Sequence, residues 1–491
     1  MQTGSRDDPG ADPVPGLDPA IIPDLCARAG DQAAYQRWAE QVKTAGYCRH
    51  PVRLAGGVEH VDQVTGEART VLDTELEPDR VLLKACGTRR AARCAPCAEV
   101  YRADAFQLVK AGLSGGKGVP ESVSTHPRLF VTFTAPSFGP VHSLRSRRGH
   151  IRPCRPARAG ARCPQDRPRR CPVRHLPGDP ALGQPICADC YDYRRAVIWN
   201  ALAPELWRRT STSIYLRRTL ARVAGLTTAE GHRLVRPAAA KVVEHQARGA
   251  IHLHAIIRLD ATPPAEDPDR IAAPRARFTV ALLAEAIRQA AAEVAVPCPL
   301  GGPPLRWGEQ LDLRPISDTS GQLTAATVAG YVAKYATKAT EGYGAALDAP
   351  IRSRTDLDRL DGQVPAHVAA LVRAAWALGG RPELTRLRLR QGAHLLGYRG
   401  HFLTKSRHYA TTFRALRAAR RAWTAYRRHG PAVALDRDGR LLPPEGSVLV
   451  AAWEYHRRGY STFADAWLAR SLGEQARQMR HVAREELSAV A

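Results

Sequence analysis

Alternating apolar and polar positions mark strands in the middle of the chain. The run Leu129-Phe130-Val131-Thr132-Phe133-Thr134 is β-branched and aromatic, which predicts a strand. Residues 241–245 and 250–258 have the same character, and Arg248-Gly249 between them supplies a turn, so a β-hairpin is expected. Along the second of these runs, period two sends His252 and His254 to one face. Ile251, Leu253, Ala255 and Ile257 go to the other. Helical periodicity takes over at 276–296, where Pro297 stops it, and at 325 to about 340, where Thr324 is the expected cap. On that second helix Tyr331, Lys334, Tyr335 and Lys338 recur at i, i+3, i+4 and i+7 and share a face. Val328, Val332, Ala336 and Ala339 form the apolar stripe beside it. Helical patterns return at 409–429 and 460–487.

These patterns predict an α+β protein of several domains, as 491 residues exceed what one core serves. The expected division is a flexible leader over 1–40 and a Cys-rich zinc region with a helix over 41–125. The domain carrying the hairpin covers 126–345, with a Cys/Arg-rich zinc insert at about 140–195, and a basic helical region fills 346–491. The first twenty residues are rich in Asp, Gly and Pro and have no basic start before an apolar stretch, so no signal peptide is read. No uncharged apolar run is long enough to span a bilayer, and the chain is expected to be cytoplasmic, with no membrane partner.

Charge changes the picture more than composition does. Lys and Arg number 72 against 47 Asp and Glu, a net +25, which favours a polyanion, and nucleic acid before a membrane surface. The excess is uneven. Between Arg145 and His175 there are eleven Arg and one acidic residue, Asp166, without helical or strand periodicity. Residues 381–491 hold 21 basic and 9 acidic residues, consistent with a helical DNA-binding region.

Eleven cysteines in a reducing compartment read as metal ligands before disulfides. Cys94-Ala-Pro-Cys97 and Cys187-Ala-Asp-Cys190 are CxxC turns, each half of a tetrahedral zinc site. Cys48 and Cys86 are the expected partners of the first. Cys163 and Cys171 are nearest to the second, with Cys154 and His175 competing. A thioredoxin-like redox role is disfavoured because neither pair is expected to open a helix after a parallel strand. Cys26 and Cys298 have no Cys neighbours and read as buried free thiols.

The His252/His254 pair gains meaning from Glu244, which lies across the hairpin turn and can complete a His-His-carboxylate set with open positions for substrate oxygens. His245 and Gln246 are rivals for that third place. Tyr331 and Tyr335 beside Lys334 and Lys338 suit nucleophilic attack on phosphate, with the ammonium groups stabilising phenolate and phosphorane oxyanions.

The order of strand 130–134, His252-Leu253-His254, then Tyr331-Val332-Ala333-Lys334-Tyr335 resembles the three motifs of the HUH endonuclease superfamily, in its two-tyrosine branch. The stretches from Cys86 through Arg102, from Cys187 through Trp199, and His401-Phe402-Leu403-Thr404-Lys405-Ser406-Arg407 are similar to actinobacterial plasmid replication initiators of the RepSA type. The likeness runs in patches from about 48 to 420. It implies an HUH-type antiparallel sheet backed by helices and a catalytic Mg²⁺ or Mn²⁺ at His252, His254 and Glu244. It also implies a rolling-circle initiator that nicks plasmid origin DNA by tyrosine attack. A host DNA polymerase would extend the nick, and a host helicase would be required because the chain lacks a Walker-type phosphate loop. A two-tyrosine transposase or relaxase would share these residues. A non-catalytic zinc-containing DNA-binding regulator remains the alternative of another class.

Overall fold

The structure, a computed structural model, describes residues 18–156, 162–213, 215–317, 323–431 and 433–490. The chain opens with α1 (Ile22–Gly30) and α2 (Gln32–Thr44), followed by β1 (Val52–Asp62), β2 (Ala68–Asp73) and β3 (Leu82–Lys84). Helix α3 (Ala95–Ser114) leads to β4 (Arg128–Phe133) and a small hairpin, β5 (Arg145–Arg147) and β6 (His150–Arg152). Helices α4 (Tyr193–Arg208), α5 (Tyr215–Val223) and α6 (Thr228–Leu234) precede β7 (Val235–His245) and β8 (Ile251–Ala261). Next come α7 (Val280–Glu293), β9 (Leu311–Pro315), α8 (Ala325–Ala336), α9 (Arg354–Asp358) and α10 (Ala366–Leu378). The chain closes with β10 (Leu403–Lys405), α11 (Phe413–His429), β11 (Ser447–Arg458) and α12 (Phe463–Val490).

Two compact units result, one of residues 1–104 with 414–491 and the other of 105–413. Segments 346–413 and 414–491, joined in the sequence division, therefore fall in different units. The first unit is built on a sheet ordered β11-β1-β2, with β3 also pairing β1. Its small core includes Trp38, Val42, Leu83 and Tyr460. The expected leader over 1–40 needs correction. Its first seventeen residues lie outside the described ones, but α1 and most of α2 fall inside it. Asp31 caps α2 by accepting from the amides of Ala33 and Ala34, and Trp38 is buried, so this segment has both a start signal and a core anchor. The C-terminal segment is not helical throughout either. β11 is a twelve-residue strand antiparallel to β1 along its length. Its apolar residues face both sides without a clean alternation, and most are exposed.

The second unit holds a five-stranded sheet ordered β10-β7-β8-β4-β9, in which every neighbouring pair is antiparallel. One face carries Leu129, Val131 and Phe133 of β4, Val243 of β7, and Ile251, Leu253, Ala255 and Ile257 of β8. All belong to a large core shared with α4, α7 and α10. The expected α+β class and antiparallel sheet are present, and α8 packs on β7. At the far end of β8, Arg258 and Asp260 are fully buried and form a two-pronged ion pair, with Asp260 also accepting from His126 Nδ1 at 2.7 Å. Arg258 completes its donors on the carbonyls of Gly112, Tyr409 and His408. Burial works against the Asp260 carboxylate, but the His126 and Arg258 bonds prevail and hold its pKa below the ordinary value.

Among the described residues no helix is long and apolar enough to cross a membrane.

Candidate active site and metal-binding clusters

The hairpin β7–β8 carries the candidate site on the sheet face opposite the large core. Gly249 makes the turn possible, with φ +76°, and a Cβ there would meet Leu371 Cδ1 at 2.2 Å. The register sets Glu244 against His252 and Val242 against His254, while Thr132 of β4 pairs with His254 from the other side. Thr132 Oγ1 lies 3.0 Å from His254 Nδ1, and Glu244 Oε2 lies 2.9 Å from His254 Nε2. The carboxylate can only accept, so His254 Nε2 carries a proton in that bond.

Helix α8 brings the phenols to this pair. Thr324 caps it as expected, by accepting from Thr327 N, but the helix ends at Ala336, so Lys338 lies just beyond it. The Tyr331 hydroxyl donates to Glu244 Oε2 at 3.3 Å and stands 3.2 Å from His254 Nε2. The Tyr335 ring is 4.7 Å from that of Tyr331. Both lysines lie against Tyr335, with Lys334 Nζ at 5.5 Å and Lys338 Nζ at 5.7 Å from its ring centre. The sharing of one helix face by two tyrosines and two lysines thus resolves into an asymmetric pair. Tyr331 reaches the carboxylate and imidazole, while Tyr335, which also interacts with Glu244 and lies 6.0 Å from the His254 ring, has both ammonium groups against its ring as well.

Burial, then the Glu244 charge, pushes the Tyr331 phenol far above its ordinary value, and Tyr335 is raised by the same causes in the same order. Burial raises the Glu244 pKa, but the hydrogen bond and charge of His254 outweigh it and hold the carboxyl low. Burial, aided by His254 and Arg248, pulls His252 down to about 4, leaving it neutral as a metal ligand must be. His252, His254 and Glu244 are a donor set that suits a divalent ion. They are not among the groups of described residues whose ligand atoms all lie within 4.8 Å of one another. The rivals for the third place fall away. His245 Nε2 is turned to the Leu395 carbonyl at 3.3 Å, and Gln246 Oε1 accepts from Arg248 in the turn.

Two residues at the site were not singled out by the sequence. Phe130 stacks parallel to the His254 ring at 5.8 Å and meets Tyr331 edge-on at 5.6 Å, and Thr132 fixes the His254 ring through Nδ1. The signal was present in the even positions of β4, which face the same way as the histidines once β4 and β8 are paired.

The cysteines gather into three groups, each with ligand atoms within 4.8 Å of one another, and all eleven thiols are free. Cys48, Cys86, Cys94 and Cys97 come together as expected, with Sγ–Sγ separations of 3.8 Å (Cys48–Cys94) and 3.6 Å (Cys86–Cys97). Tetrahedral zinc with 2.3 Å bonds to sulfur needs edges of about 3.8 Å, whereas a disulfide needs about 2.05 Å. Cys94-Ala-Pro-Cys97 does open a helix, α3, but the strand before it, β3, pairs antiparallel with β1. The expected second set of Cys163, Cys171, Cys187 and Cys190 is not one set. Cys163, Cys187 and Cys190 stay together, while Cys171 joins Cys154, His142 and His175. The backbone explains the regrouping: Cys171 and Arg155 trade amide–carbonyl bonds in an isolated bridge, which draws Cys171 beside Cys154. Cys26 is exposed and Cys298 half-buried, so neither is the buried thiol expected.

With this geometry in hand, comparison with known proteins defines the class first: a family model described as a replication initiator protein of pSAM2, RepSA, matches residues 34–474. The chain belongs to this family of replication initiators. It is 40% identical over 479 residues to a replication initiator protein of Streptomyces ambofaciens, covering 96% of each chain. No solved structure matches it.

Proposed function

We propose that this replication initiator starts rolling-circle replication of a plasmid by nicking one origin strand through an HUH-type tyrosine transesterification. The observation that carries the reading is the Tyr331 hydroxyl held at 3.2 Å from His254 Nε2 and 3.3 Å from Glu244 Oε2, with Tyr335 alongside. Phenolic oxygen attacks the scissile phosphorus, the bond to the 3′ oxygen breaks, and a 5′-phosphotyrosyl link and a free 3′-OH result. The link retains the phosphodiester energy, so nicking needs no ATP. A host polymerase extends the 3′-OH and a host helicase opens the duplex.

His252, His254 and Glu244 would hold a Mg²⁺ or Mn²⁺ ion, His254 giving up its Nε2 proton and its bond to Glu244 to do so, and the ion would supply Lewis-acid polarisation of the phosphate. Thr132 and Phe130 orient the His254 ring. Lys334 and Lys338 would stabilise the charge building on the phosphate oxygens. Structural Zn²⁺ is assigned to Cys48, Cys86, Cys94 and Cys97, and a second to Cys163, Cys187 and Cys190.

The test is conversion of supercoiled plasmid bearing the cognate origin to open circle with Mg²⁺ or Mn²⁺ present. The His252→Ala/His254→Ala variant should bind the origin duplex yet leave it supercoiled. Nicking by that variant at the wild-type rate would overturn the assignment.

A further inference from the structure

The group formed by His142, Cys154, Cys171 and His175 was not expected from spacing, and its surroundings are those of a built metal site. Cys154, Cys171 and His175 are buried. His142 Nδ1 is 3.0 Å from His175 Nε2, and Cys171 Sγ is 3.4 Å from the same nitrogen. Zinc bonds of 2.0 Å to nitrogen and 2.3 Å to sulfur require tetrahedral edges of about 3.3 to 3.8 Å, so these donors lie near the corners such an ion needs. His175 Nδ1 donates to Asp179 Oδ2 at 2.6 Å, which places its proton there and leaves the Nε2 lone pair directed into the cluster. A carboxylate behind a ligating imidazole in this way fixes its tautomer and ring orientation. The Ser143 amide donates to Cys154 Sγ at 3.2 Å, which fixes the position of the sulfur.

Position in the chain gives the group a purpose. His142 and Cys154 bracket the hairpin β5–β6, so an ion bound there closes its base. That hairpin cannot stand by itself. Its strands are three residues each, and the register sets Arg145 against Arg152 and Arg147 against His150, like charges directly opposed when His150 is protonated. Arg148 and Gly149 form its tip, both at positive φ. Arg145, Arg147, Arg148 and Arg152 are all exposed, and among the described residues none of them forms an ion pair with an acidic side chain. A ladder of unneutralised arginines held shut from below is complementary to one kind of surface, a polyphosphate backbone.

We propose that His142, Cys154, Cys171 and His175 bind a Zn²⁺ ion that staples the β5–β6 hairpin into a rigid finger gripping the phosphate backbone of duplex DNA. The gripping role rests on the reading of the chain as an origin-binding initiator; the zinc site does not.

Elemental analysis of the full chain tests the ion. Cys154→Ser should contain close to one zinc fewer than wild type at unchanged far-UV circular dichroism, while Cys26→Ser, outside every cluster, loses none. Equal zinc in Cys154→Ser and wild type overturns the site. Should Cys154→Ser fail to fold, His175→Cys keeps four donors. Thiolate is the weaker-field ligand, so the cobalt-loaded variant should absorb at longer wavelength than cobalt-loaded wild type, and an unchanged spectrum overturns the site. The grip is read from duplex affinity against salt concentration. Arg147→Glu/Arg148→Glu should lower the slope of log K against log salt by about 2, and an unchanged slope overturns the grip. Neither measurement depends on whether a tyrosine becomes linked to DNA, so the proposal and the nicking reading fail separately.

Discussion

The hairpin β7–β8 and the insert that carries β5–β6 are both antiparallel ribbons rich in polar side chains, yet they are held by opposite means. In β7–β8 the face behind the histidines is buried in a core of Ile251, Leu253, Ala255 and Ile257, and the polar face is closed by β4 and α8. His254 therefore has both ring nitrogens committed, to Thr132 and Glu244. Among its described residues the insert has no comparable core. Its buried side chains are mainly cysteines and His175, and what fixes its path is which thiol lies beside which imidazole. A reactive centre can be made rigid by apolar packing, whereas an exposed basic finger must be pinned at its base.

The comparison can be broken most severely at the tyrosines. Tyr331→Phe/Tyr335→Phe should reduce origin nicking to background with duplex affinity and zinc content unchanged, as measured on supercoiled plasmid and by elemental analysis. Residual nicking above background would mean that the packed hairpin is not the reactive centre. Next in size is Asp260→Asn, which leaves the fully buried Arg258 guanidinium without its anion. Losing one partner of a buried pair costs about 3–5 kcal/mol, and urea unfolding should show a loss of that order with the zinc content of the insert retained.

The same carboxylate gives a pH signature. Its pKa is lowered in the folded state, so the stability it contributes is fully present above the unfolded value of about 3.9 and is lost as pH falls through the folded value. Thermal unfolding of wild type should therefore weaken below about pH 4, and Asp260→Asn should lack that component. The smallest effect is expected at Cys26→Ser, an exposed thiol outside the clusters, which should change stability by less than about 0.5 kcal/mol.

What could be read in advance divides along the same line. Period-two alternation located β4, β7 and β8 and the faces of His252 and His254, because one side of each strand had to be apolar. Local geometry also made the Cys48, Cys86, Cys94 and Cys97 set legible, since a CxxC turn needs only two further thiols. The move of Cys171 from the second set to the side of Cys154 was not legible. With five cysteines and two histidines shared between the two insert clusters, spacing permits several pairings, and the choice is made by backbone bonds such as Arg155 to Cys171. The lysines were placed on a face shared by both phenols, but helical spacing cannot say which ring a flexible ammonium stem lies against; they lie against Tyr335. β11 went unseen because its apolar residues do not alternate cleanly with polar ones and because the strand it pairs with is some four hundred residues away in sequence.

The central claim is that a tyrosine of α8, activated beside His254 and Glu244, becomes covalently linked to DNA. It is tested most directly by incubating the full chain with a single-stranded origin fragment and a divalent ion, then mapping the peptide–oligonucleotide adduct by mass spectrometry. The account predicts an adduct on Tyr331 or Tyr335 that is abolished when both are Phe. DNA cleaved with no adduct on either tyrosine, or an adduct on a residue outside α8, would contradict it.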